Sequence, residues 1–420
     1  MEHNGESQVE TGIYNCGISS VLAMRLRQIV IALTYIFIFS LPWRSLILIG
    51  PISISEIVGM GLAIAFIIYR LREPFLSFSP SFHVPLVAFT GVVIASTYWS
   101  VNPKRTFSYA IPFLSIFVLS IIIYDVYDSK VQVQYAITSF VAGVGVSITI
   151  LVFNFLTQRT WIAGRYSIGS ISGNVLAGLI VIGVLSCIFL IQTSRIFSNE
   201  WIEKGTNGLL IFVGAMAVSL TGSRAGFVTL TIVIAYFFVC EKRNLNRSRY
   251  TIVFAVAVFS MIFLSITLFA SQQTAERFAS IITDGINDNL KYRIVIWKTG
   301  FAEFQNNPLI GNGWGTFGPV TEATLSQTYP GDFIPQRAHN AFVTIASELG
   351  IAGLLPFALL LLGCGEILRG FSVHEGFFWL AILLVLLFLL SVDIWVTMTT
   401  PYLFMALLHT YKNSTEISCP

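Results

Sequence analysis

Charge is what this sequence has least of. Only 11% of its 420 residues are Asp, Glu, Lys or Arg, against 55% hydrophobic, whereas soluble domains carry about 25% charged residues. That scarcity excludes a single water-facing globule. Cysteine is sparse as well: Cys16, Cys187, Cys240, Cys364 and Cys419 show no metal-type pairing and no even-numbered framework. No HxxxH pair, DxD-like carboxylate pair or Cys/His cluster occurs in the longest polar stretch, so a metal centre is not expected there. The Gly-rich "NNPLIGNGWGTFGP" lacks the Lys-Ser/Thr ending of a Walker loop and is negligible as a nucleotide signal. No cofactor and no nucleic-acid partner is expected. The first 24 residues are polar and lack an apolar core ending in a cleavage site, so a secretory signal is not expected either.

What the chain has in abundance is long apolar runs. Runs of about 20 residues cross roughly 30 Å of hydrocarbon. They are of helix length and not alternating ten-residue segments, which predicts helices and not a barrel. Spans are expected at 28–42, 54–69, 84–99, 107–124, 132–156, 172–193, 208–222, 225–240, 250–270, 341–363, 376–392 and 394–411. The fold class is therefore an all-α polytopic integral membrane protein with about twelve transmembrane helices. The chain divides into an N-terminal tail (1–27), helices 1–9 (28–270), one large loop (271–340), helices 10–12 (341–411) and a short tail (412–420). That loop is too long for a turn and predicts a small structured element lying over the membrane.

Lys and Arg sort into two sets. Arg25, Arg27, Arg70, Arg72, Lys130, Arg195, Lys204, the cluster "EKRNLNRSRY", Arg369 and Lys412 fall on one alternating set of helix ends. Cytoplasmic loops carry the excess of Lys and Arg, so both termini are expected inside and the large loop outside. Arg44, Arg105, Arg159, Arg165, Arg224, Arg277, Arg293 and Arg337 remain on the other side, against that tendency. Arginine holds phosphate in a planar, bidentate manner, and several at one face would form a site for an anionic headgroup.

Four stretches carry candidate chemistry. In "SLTGSRAGFVTL" Arg224 sits in a turn of a few residues between apolar runs, either as a snorkelling anchor or as a functional charge at membrane depth. In "NLKYRIVIWKTG" Arg293 and Trp297 are four apart, hence on one face of a helix, which is either a surface helix with a solvated arginine or an interfacial one. "NNPLIGNGWGTFGP" predicts a tight loop through its glycines. In "QRAHNAFVTIASELG", Arg337, His339 and Asn340 stand at the mouth of an apolar helix. Asn340 suits an N-cap, and His339 can take or give a proton near neutral pH. Glu348 lies further along the same helix, either paired with a buried arginine or structural.

"GLLIFVGAMAVSLTGSRAGFVTL", "YRIVIWKTGFAEFQNNPLIGNGWGTF" and "AHNAFVTIASELGIAGLL", in this order and spacing, resemble the bacterial O-antigen ligase and polysaccharide polymerase superfamily, most closely its exopolysaccharide-production branch. "GRYSIGSISGNVLAGLI" resembles the family's Arg-containing segment before a "GN…LA" helix, but is two residues shorter than the Gly-Asn-Pro-Asn form of relatives. The resemblance runs from about Trp161 to Leu362. It implies an integral-membrane glycosyltransferase architecture of the GT-C type, with a large periplasmic loop roofing the site. It implies a metal- and nucleotide-independent transfer of a glycan from undecaprenyl pyrophosphate, either to another lipid-linked repeat or to lipid A–core. Carried over residue by residue, it gives the pyrophosphate to Arg224 and Arg293, puts His339 at the acceptor hydroxyl, and adds Arg165 to the substrate-binding set. Arg337, Asn340, Trp297 and Glu348 join that set as neighbours in the same motifs. The expected setting is a bacterial inner membrane with a periplasmic site, with a flippase and chain-length or export proteins as possible partners. A polymerase is the first reading, a ligase the second. A transporter of lipid-linked sugars is the third, though the halves show no internal repeat.

Overall fold

The structure, a computed structural model, describes residues 6–49, 52–159, 165–193, 200–241, 288–328 and 337–414. The expected span at 250–270, the basic cluster after Glu241, Arg195 and Arg277 lie outside the described residues.

Helices dominate. They are α1 (Glu6–Ser40), α2 (Ile54–Arg70), α3 (Pro80–Ala95), α4 (Pro103–Val126), α5 (Lys130–Leu156), α6 (Gly173–Thr193), α7 (Glu200–Leu220) and α8 (Arg224–Glu241). After the undescribed stretch come α9 (Asp288–Asn306), α10 (Phe317–Thr328), α11 (Ala341–Ile367), α12 (Val373–Val392) and α13 (Thr399–Asn413). Strands are confined, among the described residues, to a hairpin pairing Leu48 with Ser53 and Ile49 with Ile52. The protein is an all-α polytopic membrane protein. Among the described residues, seven helices are long and apolar enough to cross a bilayer, at Leu22–Trp43, Pro80–Tyr98, Pro103–Val126, Lys130–Leu156, Gly173–Thr193, Ala341–Gly370 and Glu375–Val392. The other expected spans differ for visible reasons. The α2 helix is short and α7 begins with Glu200, Glu203 and Lys204, while α8 (Arg224–Glu241) covers the expected span 225–240. The run 394–411 is broken by a 3-10 turn, Trp395–Thr397, before α13 begins.

Local signals explain where helices start. Asn102 accepts from Arg105 N at 3.2 Å with Pro103 in the first turn of α4, the pre-organised arrangement for a helix entry. Ser53 and Glu56 close a capping box on α2. The middle of the bundle is α6, of whose apolar window 89% is buried. Small residues let its neighbours in, as in membrane helix packing generally: a methyl at Gly178 would collide with the Trp395 ring.

The two ends of the bundle differ in charge. At one end Arg27 pairs with Asp128 at 2.6 Å, Arg70 with Asp125, Lys130 with Glu375 at 2.8 Å, and Lys412 donates to Gly370 O. These are the basic residues that the loop pattern assigned to one side. At the other end sit Arg44, Arg105, Arg165, Arg293 and Arg337, held by Met398, Gly315, Thr221, Val392 and Thr397 respectively.

The polar segment after the undescribed stretch is not a mere cover. Its Trp314 is 1% exposed and stands edge-on to Phe113 and Phe89, with centroids 5.1 and 6.2 Å away. The loop 307–316 is inserted into a break in α11. There Gly350 adopts φ 60, ψ −154, a region essentially reserved for glycine. Ile351 N and Ala352 N, cut off from their own helix, donate to Pro308 O and Leu309 O at 2.8 and 2.9 Å. Asn312 N and Gly313 N return bonds to Ser347 O and Glu348 O at 3.2 and 2.8 Å. Two of the donors and two of the acceptors freed by the break are thus satisfied by the loop, as irregular backbone at membrane depth requires.

Candidate active site

At the arginine-rich end, Arg44, Arg293, Arg337 and His339 converge on the link between α12 and α13. Asp393 caps this link: its Oδ1 accepts from Ile394 N at 2.8 Å and lies 3.2 Å from His339 Nδ1. The His339 side chain is 40% exposed, whereas Asp393 is 6% exposed. The ring therefore presents its other nitrogen outward while a buried carboxylate holds its back. Burial alone would raise the Asp393 pKa. The hydrogen bond and charge of His339, the N–H of Ile394 and the charge of Arg293 outweigh it, and hold the carboxyl below its ordinary value.

Two arginines grip the same link. Arg293 donates to Val392 O at 2.7 Å and Arg337 to Thr397 Oγ1 at 3.2 Å. The expected helix around Arg293 is present as α9, and Trp297, one turn on, points to the same side, donating to Ala338 O at 3.0 Å. Arg293 and Trp297 therefore both reach from one face of α9 to segments next to His339, the end of α12 and Ala338. Tyr109 lies between two cations, with Arg105 Cζ 5.2 Å and Arg337 Cζ 5.5 Å from its ring centre.

Arg224 reaches the same level from another direction. It opens α8, which runs antiparallel to α12 with Tyr236 facing Phe378 at 6.4 Å. Going back along α8 from Tyr236 to Arg224 is the same rise, about 18 Å, as going forward along α12 from Phe378 to Leu390. The half-buried Arg224 thus stands level with the end of α12. Its turn is braced by Arg165, whose Nε donates to Thr221 O and whose Nη2 donates to Asn174 Oδ1, both at 2.9 Å. Arg159, by contrast, is exposed on the surface over Phe153.

Asn340 caps α11, its Oδ1 accepting from Phe342 N and Val343 N at 2.9 and 3.1 Å. Glu348 is 2% exposed, and both its oxygens are occupied by backbone, Gly315 N at 2.7 Å and Phe317 N at 2.9 Å. Glu348 thereby ties the start of α10 to α11, behind the histidine.

Asp393, Thr397 and Tyr109 stand beside the candidate site residues without having been singled out in the sequence. For Asp393 a signal existed: "LLSVDIWVTMTTP" holds one ionisable residue between apolar runs, the same pattern that singled out Arg224. For Tyr109 and Thr397 no local pattern distinguishes them from lining residues.

Residues 209–358 match the family model described as O-Antigen ligase. That span contains Arg224, Arg293, Trp297, Arg337, His339, Asn340 and Glu348, and stops before Asp393. No curated protein matches the chain. The match supports membership of the O-antigen ligase and polysaccharide polymerase superfamily. With it comes, at a coarse level, a membrane glycosyltransferase type of activity on lipid-linked glycans.

Proposed function

We propose, taking the O-antigen ligase match as premise, that the protein polymerises undecaprenyl-pyrophosphate-linked repeats at the periplasmic face of a bacterial inner membrane. The carrying observation is the convergence of a buried-carboxylate-backed histidine with Arg293 and Arg337 on one link, with Arg224 level with it.

In this reading Asp393 keeps the proton on His339 Nδ1, leaving Nε2 as the base. Nε2 takes the proton of an acceptor sugar hydroxyl as that oxygen attacks the anomeric carbon of the donor. The new glycosidic bond forms, the bond from anomeric carbon to phosphate oxygen breaks, and the electron pair leaves on undecaprenyl pyrophosphate. Arg224 and Arg293 meet that growing charge, with Arg165 and Asn174 holding the Arg224 turn. Preorganised donors of this kind contribute about 3–4 kcal/mol each in well-studied sites, and a positioned base about 10²–10⁴-fold. Trp297 and Arg337 frame the acceptor side, while Asn340 and Glu348 set where the histidine stands. The basic end of the bundle supports a cytoplasmic placement of both termini.

The ligase reading, in which lipid A–core is the acceptor, is favoured by the printed description of the matching family. A reconstitution separates the two. Purified protein in liposomes receives one undecaprenyl-pyrophosphate-linked repeat and no other acceptor. A product ladder is expected, abolished in His339→Ala and Arg224→Ala at unchanged protein level. Product formed only after lipid A–core is added assigns the ligase. A ladder that survives both substitutions overturns the site.

A further inference from the structure

A second recess lies on the far side of the same link. The 3-10 turn Trp395–Thr397 presents Thr397 to Arg337, while Ile394 and Trp395 line a cavity of about 200 Å³ between the end of α1, the segment before α6 and the start of α13. A single water needs about 10–15 Å³ of such space, and whole-ligand pockets start near 300 Å³. The recess is sized for one polar headgroup and not for an oligosaccharide.

Its lining is rich in donors and holds no carboxylate. Arg44, Ser45, Ser170, Ser172 and Thr400 face it along with apolar side chains. The half-buried Arg44 has, among the described residues, only a thioether for a hydrogen-bond partner, Met398 Sδ at 3.1 Å. A thioether is a weak acceptor. The acid whose charge Arg44 feels, Glu56, is instead engaged by Ser53 N and Ser53 Oγ at 2.7 and 3.0 Å. Trp395 is fully buried, and its indole Nε1 has no partner among the described residues. A guanidinium answered only by a thioether beside a cavity is costly in isolation. An anion seated among Arg44 and the hydroxyls of Ser45, Ser170, Ser172 and Thr400 answers it.

We infer that this cavity is a second anion subsite, taking the phosphate group of the acceptor lipid while Arg224 and Arg293 hold that of the donor. The inference rests on the transfer reading above. Growth of a chain from one lipid carrier onto another requires two phosphate-bearing lipids to be bound at once. Consecutive residues, Asp393 and Ile394, serve the catalytic histidine and the cavity. An acceptor anchored here by its phosphate leaves its sugar free to reach His339.

The test counts lipids. Native mass spectrometry of the full-length protein in detergent, titrated with undecaprenyl pyrophosphate, is expected to show two bound molecules. Arg44→Gln should weaken one of them by about tenfold or more, as loss of a charge-assisted bond does, and Arg224→Gln should weaken the other. Ser170→Leu, which fills the cavity and keeps the arginine, should reproduce the Arg44→Gln result, so a fold defect in either variant does not stand alone. Arg44→Gln and Ser170→Leu both retaining two bound lipids overturns the subsite and leaves the donor site standing. Arg224→Gln without effect overturns the transfer reading itself. Competition by excess phosphatidylglycerol at the Arg44 position, equal to that by undecaprenyl pyrophosphate, reassigns the cavity to bilayer headgroups and overturns the acceptor role.

Discussion

His339 holds a left-handed backbone, φ 50, a conformation uncommon outside glycine, though histidine is among the enriched exceptions. It precedes the Asn340 cap, so the chain turns sharply into α11 and leaves the imidazole outside the helix barrel, against Asp393. Replacing Asp393 by Asn keeps the shape and removes the charge. The expected result is a fall in kcat of at least about tenfold with KM little changed, part of the 10²–10⁴-fold that a positioned base supplies. Initial-rate kinetics in the liposome assay check it. A rate equal to wild type would reduce Asp393 to a backbone cap.

The same residue gives a pH signature. Its carboxyl is held below the ordinary value. Its contribution to stability is therefore complete above the unfolded-chain value near 4 and is lost as pH falls through the lower folded value. The melting temperature of the wild type should exceed that of Asp393→Asn at pH 5. The margin should shrink toward pH 3. A margin undiminished at pH 3 would contradict the pairing.

At the scale of elements, the join between α11 and the loop 307–316 is the structural keystone behind the histidine. Gly350 cannot gain a side chain without strain, for a methyl there would approach within 2.5 Å of the Leu309 carbonyl carbon. Gly350→Ala should cost about 3 kcal/mol or more, the sum of backbone strain and overpacking. Gly365→Ala, on the same helix with nothing within 4 Å of the new methyl, should be neutral or gain about 0.5–1 kcal/mol. Thermal unfolding in detergent compares the two. Amide exchange should find Ile351 and Ala352 protected despite the helix break, because Pro308 and Leu309 accept their bonds. Part of this was legible beforehand: the glycines of "NNPLIGNGWGTFGP" predicted a tight loop, and Gly311, Gly313 and Gly315 have positive φ. Gly318 does not, being inside α10. That the loop would enter the bundle was not legible, since its polar average conceals one deeply buried indole, Trp314.

Across the whole molecule the charged residues divide into two ends. A cysteine at exposed Lys104, by the Arg105 end, and one at exposed Ser372, by the Arg369 end, should label from opposite sides of sealed vesicles. This is measured with an impermeant thiol reagent after the native cysteines are replaced by alanine. Labelling from the same side would contradict the orientation drawn from the basic loops.

By itself, the sequence determined the membrane-embedded helical class, the Asn340 cap and the sorting of lysines and arginines. Each is a local or additive property: hydropathy summed over a span, a side chain reaching its own helix's N–H groups, a count of charges in loops. Only the tertiary structure decided that His339 meets Asp393, that Arg293 and Arg337 grip the link beside it, and that Arg224 stands level with them. Those meetings join segments remote along the chain. They depend on the register with which α8, α9, α11 and α12 pack, and that register is set by shape between helices and leaves no periodic trace in any one of them.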